Sequence, residues 1–137
     1  MKAKKIILIL SLLIFLGGFI ANKMYNKPHV NVAETSSDVS LEAVKIVDDF
    51  SSDEIMANTT YLDKIVQVSG IINSIKTENE TVIVALAGNS FGDVLCYLSE
   101  ESKTKVNTLK EGQRVTLKGI CTGFLLDVVL VKCALIN

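Results

Sequence analysis

RVTLKGICTGFLLDVVLVKCALIN, running from Arg114 to Asn137, is the stretch that decides the fold. It reads as two apolar strands, 114–122 and 127–136, joined by Gly123-Phe124-Leu125-Leu126. Alternation of period two puts Val115, Leu117, Gly119 and Cys121 on one face of the first strand. The same rule puts Val129, Val131, Cys133 and Leu135 on one face of the second. A hairpin this apolar must cover a core, and the chain upstream has to supply the rest of it.

Working outward, three further stretches alternate in the same way. Val66, Val68, Gly70 and Ile72 share one face of a first strand, with Gln67, Ser69 and Asn73 on the other. A second strand over 81–86 turns Val82, Val84 and Leu86 inward, and a third over 93–98 turns Val94, Cys96 and Leu98 inward. Residues 99–109 are a polar helical stretch, and Glu111-Gly112-Gln113 is a turn. Three strands, a helix and two strands give a mainly β chain with the pattern of a five-stranded OB-fold barrel, its helix between strands three and four. Gly70 and Gly119 fall mid-strand, where a small barrel needs bends and close backbone approach. Closure also removes the exposed edges of a short sheet.

One or two short helices precede the barrel. Ser40 is placed to cap a helix whose Ala43, Ile46, Val47 and Phe50 follow at i, i+3, i+4 and i+7. A second helix is expected over 53–60, with Ile55 and Met56 inward.

The first 27 residues are of another kind. Lys2, Lys4 and Lys5 precede the apolar run 6–21, and Lys23 and Lys27 follow it. Sixteen helical residues span roughly 24 Å, short of a ~30 Å hydrocarbon core, a difference that flanking lysines offset by snorkelling. Phe19 at −3 makes cleavage after Ala21 a poor fit, and no cysteine follows the run to accept a lipid. An uncleaved signal anchor is the expected outcome. Its basic N-terminus would stay cytoplasmic, with the remainder outside the cytoplasmic (inner) membrane in the cell envelope. The expected division is 1–27 anchor, 28–40 linker, and 41–137 barrel domain with its helical extension.

Five of the 14 Lys and Arg lie in residues 1–27, and none of the 15 Asp and Glu do. Residues 28–137 therefore hold 9 basic and 15 acidic residues, a net charge of −6. Such a domain repels phosphate backbones, which counts against nucleic acid as a partner. The single histidine, His29, falls in the linker, so neither a Ser–His nor a Cys–His pair is expected in the domain. No enzyme, cofactor or metal is expected. The acidic group Asp48, Asp49, Asp53 and Glu54 lacks the spacing of a calcium loop and reads as a solvated helix end.

Cys96, Cys121 and Cys133 all fall on the inward register, as small buried side chains do. An odd count permits at most one internal disulfide. Hairpin register separates Cys121 from Cys133 by roughly 17 Å along the strand, beyond the ~7 Å Cα limit of a bridge. Strands three and five are neighbours in an OB barrel, which favours Cys96–Cys133, with Cys96–Cys121 second and three buried thiols as the remaining alternative.

Asp53-Glu54-Ile55-Met56-Ala57-Asn58 and 61–70 (YLDKIVQVSG) resemble the start of the tRNA_anti-like OB-fold family. Residues 112–123 (GQRVTLKGICTG), Asp127-Val128-Val129-Leu130 and Cys133 resemble its C-terminal half, with Gly70, Gly119, Cys121, Gly123 and Asp127 as the motif positions. The resemblance covers about 41–136. It implies the OB barrel and an exported bacterial protein, many relatives carrying a lipoprotein signal that this chain lacks. It carries no activity over.

OB barrels bind on the face of strands two and three and through the loop joining four and five. The outward residues there are Ile83, Ala85, Leu95 and Tyr97, and the loop offers Phe124 and Leu125. These six are the candidate binding face. One aromatic and no basic residue on that face favour an envelope protein, a peptide or a small ligand over single-stranded nucleic acid or an oligosaccharide, the rivals by fold analogy. The loop residues equally suit a plug at the barrel end, which is the blander expectation.

Overall fold

The computed structural model describes residues 1–25 and 31–136. It divides into two units, 1–30 and 31–137. The first contains α1 (Lys2–Tyr25), 24 residues with a mean hydropathy of 2.2 in its most apolar window. At ~1.5 Å per residue it is about 36 Å long, so the helix continues through the flanking lysine Lys23 beyond the apolar run. By length and composition it is able to cross a membrane.

The second unit holds β1 (Val39–Glu42), α2 (Ala43–Ser52), α3 (Glu54–Tyr61), β2 (Ile65–Glu78), β3 (Thr81–Asn89), β4 (Gly92–Leu98), α4 (Glu100–Lys103), a 3-10 turn (Val106–Thr108), β5 (Arg114–Phe124) and β6 (Val128–Leu135). The sheet order is β1-β2-β3-β4-β6-β5, and a further pairing of β2 with β5 closes the last five strands into a barrel. The 14 residues of β2 make this closure possible. Its first half, Ile65–Ile71, pairs antiparallel with β5, and its second half, from Ile72, pairs with β3. β4 and β6 run parallel, the expected neighbours of an OB barrel.

Alternation fixes the interior of β2, β3, β4 and β5. Val66, Val68, Ile72, Val84, Leu86, Val94, Cys96, Val115, Leu117 and Cys121 are all buried. Fully burying each Val, Leu or Ile contributes roughly 1.5–3 kcal/mol, so this layer is the main source of stability.

β6 departs from the expected register. Val128 and Leu130 face the core, while Val129 and Val131 are only half-buried. The cause is an extra residue: Ile120 pairs with Val131 but Lys118 with Ala134, so β6 spends three residues where β5 spends two. Lys132 takes the bulge, with φ 53, and beyond it Cys133 returns to the interior. The expected inward set Val129, Val131, Cys133 and Leu135 is thus corrected to Val128, Leu130 and Cys133.

Residues 31–42 also differ from expectation. The portion of the predicted linker from 31 onward is attached to the barrel, and 28–30 lie outside the described residues. Val32 is buried, and Lys118 Nζ donates to the carbonyls of Ala33 (3.2 Å) and Thr35 (2.7 Å). Val39–Glu42 pair in parallel with Val66–Ser69, so Ser40 sits in a strand and not at a helix cap. The helix begins at Ala43, and Glu42 stands at its N-cap without a side-chain cap bond.

α2 buries Ala43, Ile46, Val47 and Phe50, the predicted face. Two glycines let it approach the sheet: a Cβ on Gly70 would meet the Ala43 Cβ at 2.9 Å, and one on Gly88 would meet Val47 Cγ2 at 2.8 Å. α3 is capped by Asp53, whose Oδ1 accepts from Met56 N at 3.1 Å. Its buried residues are Ala57 and Tyr61, one helical turn apart, while Ile55 is 82% exposed and Met56 also faces out. The expectation that Ile55 and Met56 point inward is therefore wrong. Tyr61 sets the rotation, because its ring lies 5.8 Å from that of Phe50 and its hydroxyl donates to Asp49 Oδ2 at 2.6 Å.

Candidate functional site

The four strand residues of the candidate face come together. In the antiparallel β3–β4 register Ile83 lies opposite Tyr97, and Ala85 opposite Leu95. Leu95 in turn lies opposite Val129 of β6. Directly opposed residues share one face of a sheet, so Ala85, Leu95 and Val129 form an apolar row across three strands, with the Ile83–Tyr97 pair beside it. Ile83, Leu95, Tyr97 and Val129 are half-buried, but Ala85 is buried, so the expectation that it presents binding surface is corrected: it is the floor of the row beneath its larger neighbours. Val129 was missed as a member of this face because the bulge inverts the alternation of β6.

The two loop residues part company. Phe124 stacks on Phe50, with ring centroids 5.8 Å apart and planes 19° off parallel, and packs against the core. It plugs the barrel end and does not belong to the outer face. Leu125 is 89% exposed and Leu126 82%. They stand beside the β3–β4 turn, where Asp93 N donates to Asp127 Oδ1 at 2.7 Å and a Cβ on Gly92 would reach the Leu126 carbonyl oxygen at 2.3 Å. That turn carries Phe91, likewise exposed. Phe91 went unpredicted, although a large apolar residue inside a turn such as Asn89-Ser90-Phe91-Gly92 is itself a signal. A shallow cleft of about 300 Å³ lies between α3, at Glu54, Asn58 and Leu62, and the loop Gly123-Phe124-Leu125.

The polar groups around this end are committed to structure. Asp93 accepts from Asn73 Nδ2 at 2.7 Å and from Gly88 N at 3.2 Å, and Asn89 donates to Asp48. Burial works against the charge of Asp49, but hydrogen bonds from Lys45 and Tyr61 outweigh it and hold the carboxyl below its usual value. Burial, then the bond to Asp49, pushes the Tyr61 phenol up. Among the described residues, no group of three or more His, Cys, Asp or Glu side chains is arranged to hold a metal.

Each motif position has a mechanical role. Gly70 seats α2, and Gly119 leaves space for Cys133, whose Sγ would lie 2.4 Å from a Cβ there. Cys121 is buried, with its backbone bonded to Asp63 N and Lys64 O. Gly123 has φ +126, a conformation that disfavours a side chain, and Asp127 ties the loop to β4. All three cysteines are free thiols in this structure. Burial and a hydrogen bond with the Cys96 thiol push the Cys133 thiol well above its usual value, and burial raises Cys121.

A closed five-stranded barrel, a helix between its third and fourth strands and an apolar outer face on the second and third define an OB-fold domain. The chain belongs to the tRNA_anti-like family, whose model matches residues 1–135. Among solved structures it is similar to a putative nucleic acid-binding lipoprotein from Klebsiella pneumoniae, with 16% identity, a TM-score of 0.60, and coverage of 72% of this chain and 92% of that one. Fainter likenesses are to an OBody bound to hen egg-white lysozyme (23% identity, TM-score 0.44, 56% of this chain and 81% of that one) and to the Entamoeba histolytica asparaginyl-tRNA synthetase (16% identity, TM-score 0.43, 55% and 21%). No curated protein matches the sequence.

Proposed function

We propose that this chain is an anchored binding module. α1 holds it in the cytoplasmic membrane, residues 31–137 lie outside the cytoplasm, and the outer face of β3, β4 and β6 takes a protein or peptide partner. The observation that carries this reading is the apolar row Ala85–Leu95–Val129 beside Ile83–Tyr97, on a β3 and β4 that contain no Lys or Arg. Apolar surface removed from water contributes roughly 25 cal/mol per Å², which favours a partner with an apolar face of its own. A net charge of −6 over residues 28–137 opposes a polyphosphate chain, and Tyr97 is the one aromatic platform on these two strands. No catalytic role is proposed.

The test is affinity capture from envelope extract by the full chain in detergent, at low and high salt, with and without nuclease. A protein retained under all four conditions, and lost when Leu95→Lys replaces the centre of the face, is the expected result. Nucleic acid captured at low salt and released at high salt would overturn it. Digestion of residues 31–137 by protease added to spheroplasts is expected from the proposed orientation, and protection would reverse it.

A further inference from the structure

We propose that Cys96 and Cys133 are a cross-linking pair that joins β4 to β6 by a disulfide when the domain folds under oxidising conditions, leaving Cys121 as the single thiol. Two independent features of the structure converge on this pair. The first is the register. β4 and β6 are adjacent parallel strands, with Cys96 opposite Leu130 and Leu98 opposite Cys133. Without the extra residue at Lys132, the alternation that buries Val128 and Leu130 would bury Lys132 and expose Cys133. The bulge therefore brings Cys133 into the interior, where its thiol lies within hydrogen-bonding reach of Cys96. The second is the space. Gly119, across from the bulge on β5, has no side chain, and the volume its Cβ would occupy is taken by Cys133 Sγ.

Cys121 is set apart by its surroundings. Its thiol is hydrogen-bonded to the backbone of Gly123, whereas the Cys133 thiol is hydrogen-bonded to the Cys96 thiol. Cys96 and Cys121 stand opposite Leu130 on either side of β6, and two strand spacings of ~4.8 Å exceed the ~7 Å between Cα atoms that a disulfide tolerates.

The chemistry needs a disulfide as oxidant, which the proposal takes to be a low-molecular-weight one such as glutathione disulfide. One cysteine thiolate attacks a sulfur of that oxidant and expels one glutathione thiolate, forming a mixed disulfide. The second cysteine thiolate attacks the protein sulfur of the mixed disulfide and expels the other glutathione. Two electrons pass from the cysteine pair to the oxidant, and the two cysteine protons end on the glutathione thiols. Both sulfurs are sealed in the finished barrel, out of reach of a dissolved oxidant, and burial holds the Cys133 thiol protonated there. Exchange therefore belongs to the folding step, as β4 and β6 meet, and the bond once made is shielded from reductants.

The inference gains cellular relevance from the proposed export of the domain, so the experiment separates the two. The full chain in detergent is refolded with reduced and oxidised glutathione, alkylated, digested with trypsin and mapped by mass. Cleavage after Lys118 and Lys132 places Cys121 and Cys133 on different peptides, and Cys96 lies on a third. The expected result is one alkylated thiol per chain, on Cys121, with the Cys96 and Cys133 peptides linked and none alkylated in Cys121→Ala. Three alkylated thiols, or a link that includes Cys121, would overturn the proposal, and neither result depends on a variant that fails to fold. The same mapping on cells alkylated before lysis reports the compartment. A link formed in the tube and absent from cells upholds the pairing and counts against export.

Discussion

β4 and β6 lie side by side, run in the same direction and alternate with the same period, yet only one of them obeys its alternation to the end. In β4, Val94, Cys96 and Leu98 are buried and Leu95 and Tyr97 face out, as any reader of the sequence would draw it. In β6, Val128 and Leu130 are buried, Lys132 bulges, and Cys133 and Ala134 are buried in succession. The contrast teaches that a period-two pattern sets a face only while the ladder stays in step. One unpaired residue hands the opposite set of side chains to the core.

The comparison is broken most severely at Gly119, which faces the bulge. Gly119→Val places a branched side chain against Cys133 Sγ and the Val131 carbonyl. A loss of about 3 kcal/mol or more is expected, read as a collapse of the urea midpoint or as failure to fold. A sharper test sets neighbours on β6 against each other. Leu130→Ala should cost about 3 kcal/mol and Val131→Ala under about 1 kcal/mol. The unbulged register would require the reverse order.

A control outside both strands is the α2–α3 contact. Tyr61→Phe removes the bond to Asp49 and should cost about 1 kcal/mol at neutral pH. The Asp49 carboxyl sits below its usual value in the folded state. Its contribution is therefore complete above the ordinary carboxylate range, near pH 4, and is lost as pH falls through the lower folded value. Asp49→Asn should flatten that part of the acid limb of stability against pH and leave the Leu130–Val131 difference unchanged. The smallest effect is a gain. Lys132→Gly relieves a left-handed backbone and should raise stability by up to about 1 kcal/mol while keeping the bulge.

The barrel was legible because apolar residues recur at every second position through much of β2 to β5, and the inward residues named from them are buried. The helical face Ala43, Ile46, Val47 and Phe50 was legible for the same reason at period 3.6. What escaped was decided by partners that the sequence does not display. The bulge falls on a lysine, with no glycine to mark it. β1 is four residues long and runs straight into α2, so its alternation was absorbed into a helix start. α3 is turned by the Tyr61–Asp49 bond and the Phe50 ring, against the apolar pull of Ile55 and Met56. At the candidate face Ala85, expected to face out, is buried, but Ile83, Leu95 and Tyr97 were readable as half-exposed neighbours. Val129 and the inward turn of Phe124 were not, because one depends on the bulge and the other on a stacking partner 74 positions upstream.

The clasp of Lys118 on the carbonyls of Ala33 and Thr35 has a mechanical consequence. Tension arriving along the chain before Asn31 meets this clasp first. It then meets the bond from Asp38 N to the Ile65 carbonyl and the four-residue ladder of β1 on β2. Only when these have given way does the load reach α2 and the core beneath it. Residues 31–42 are thus placed to yield before the barrel does, and a pull on that end would be spent on these contacts ahead of the core packing.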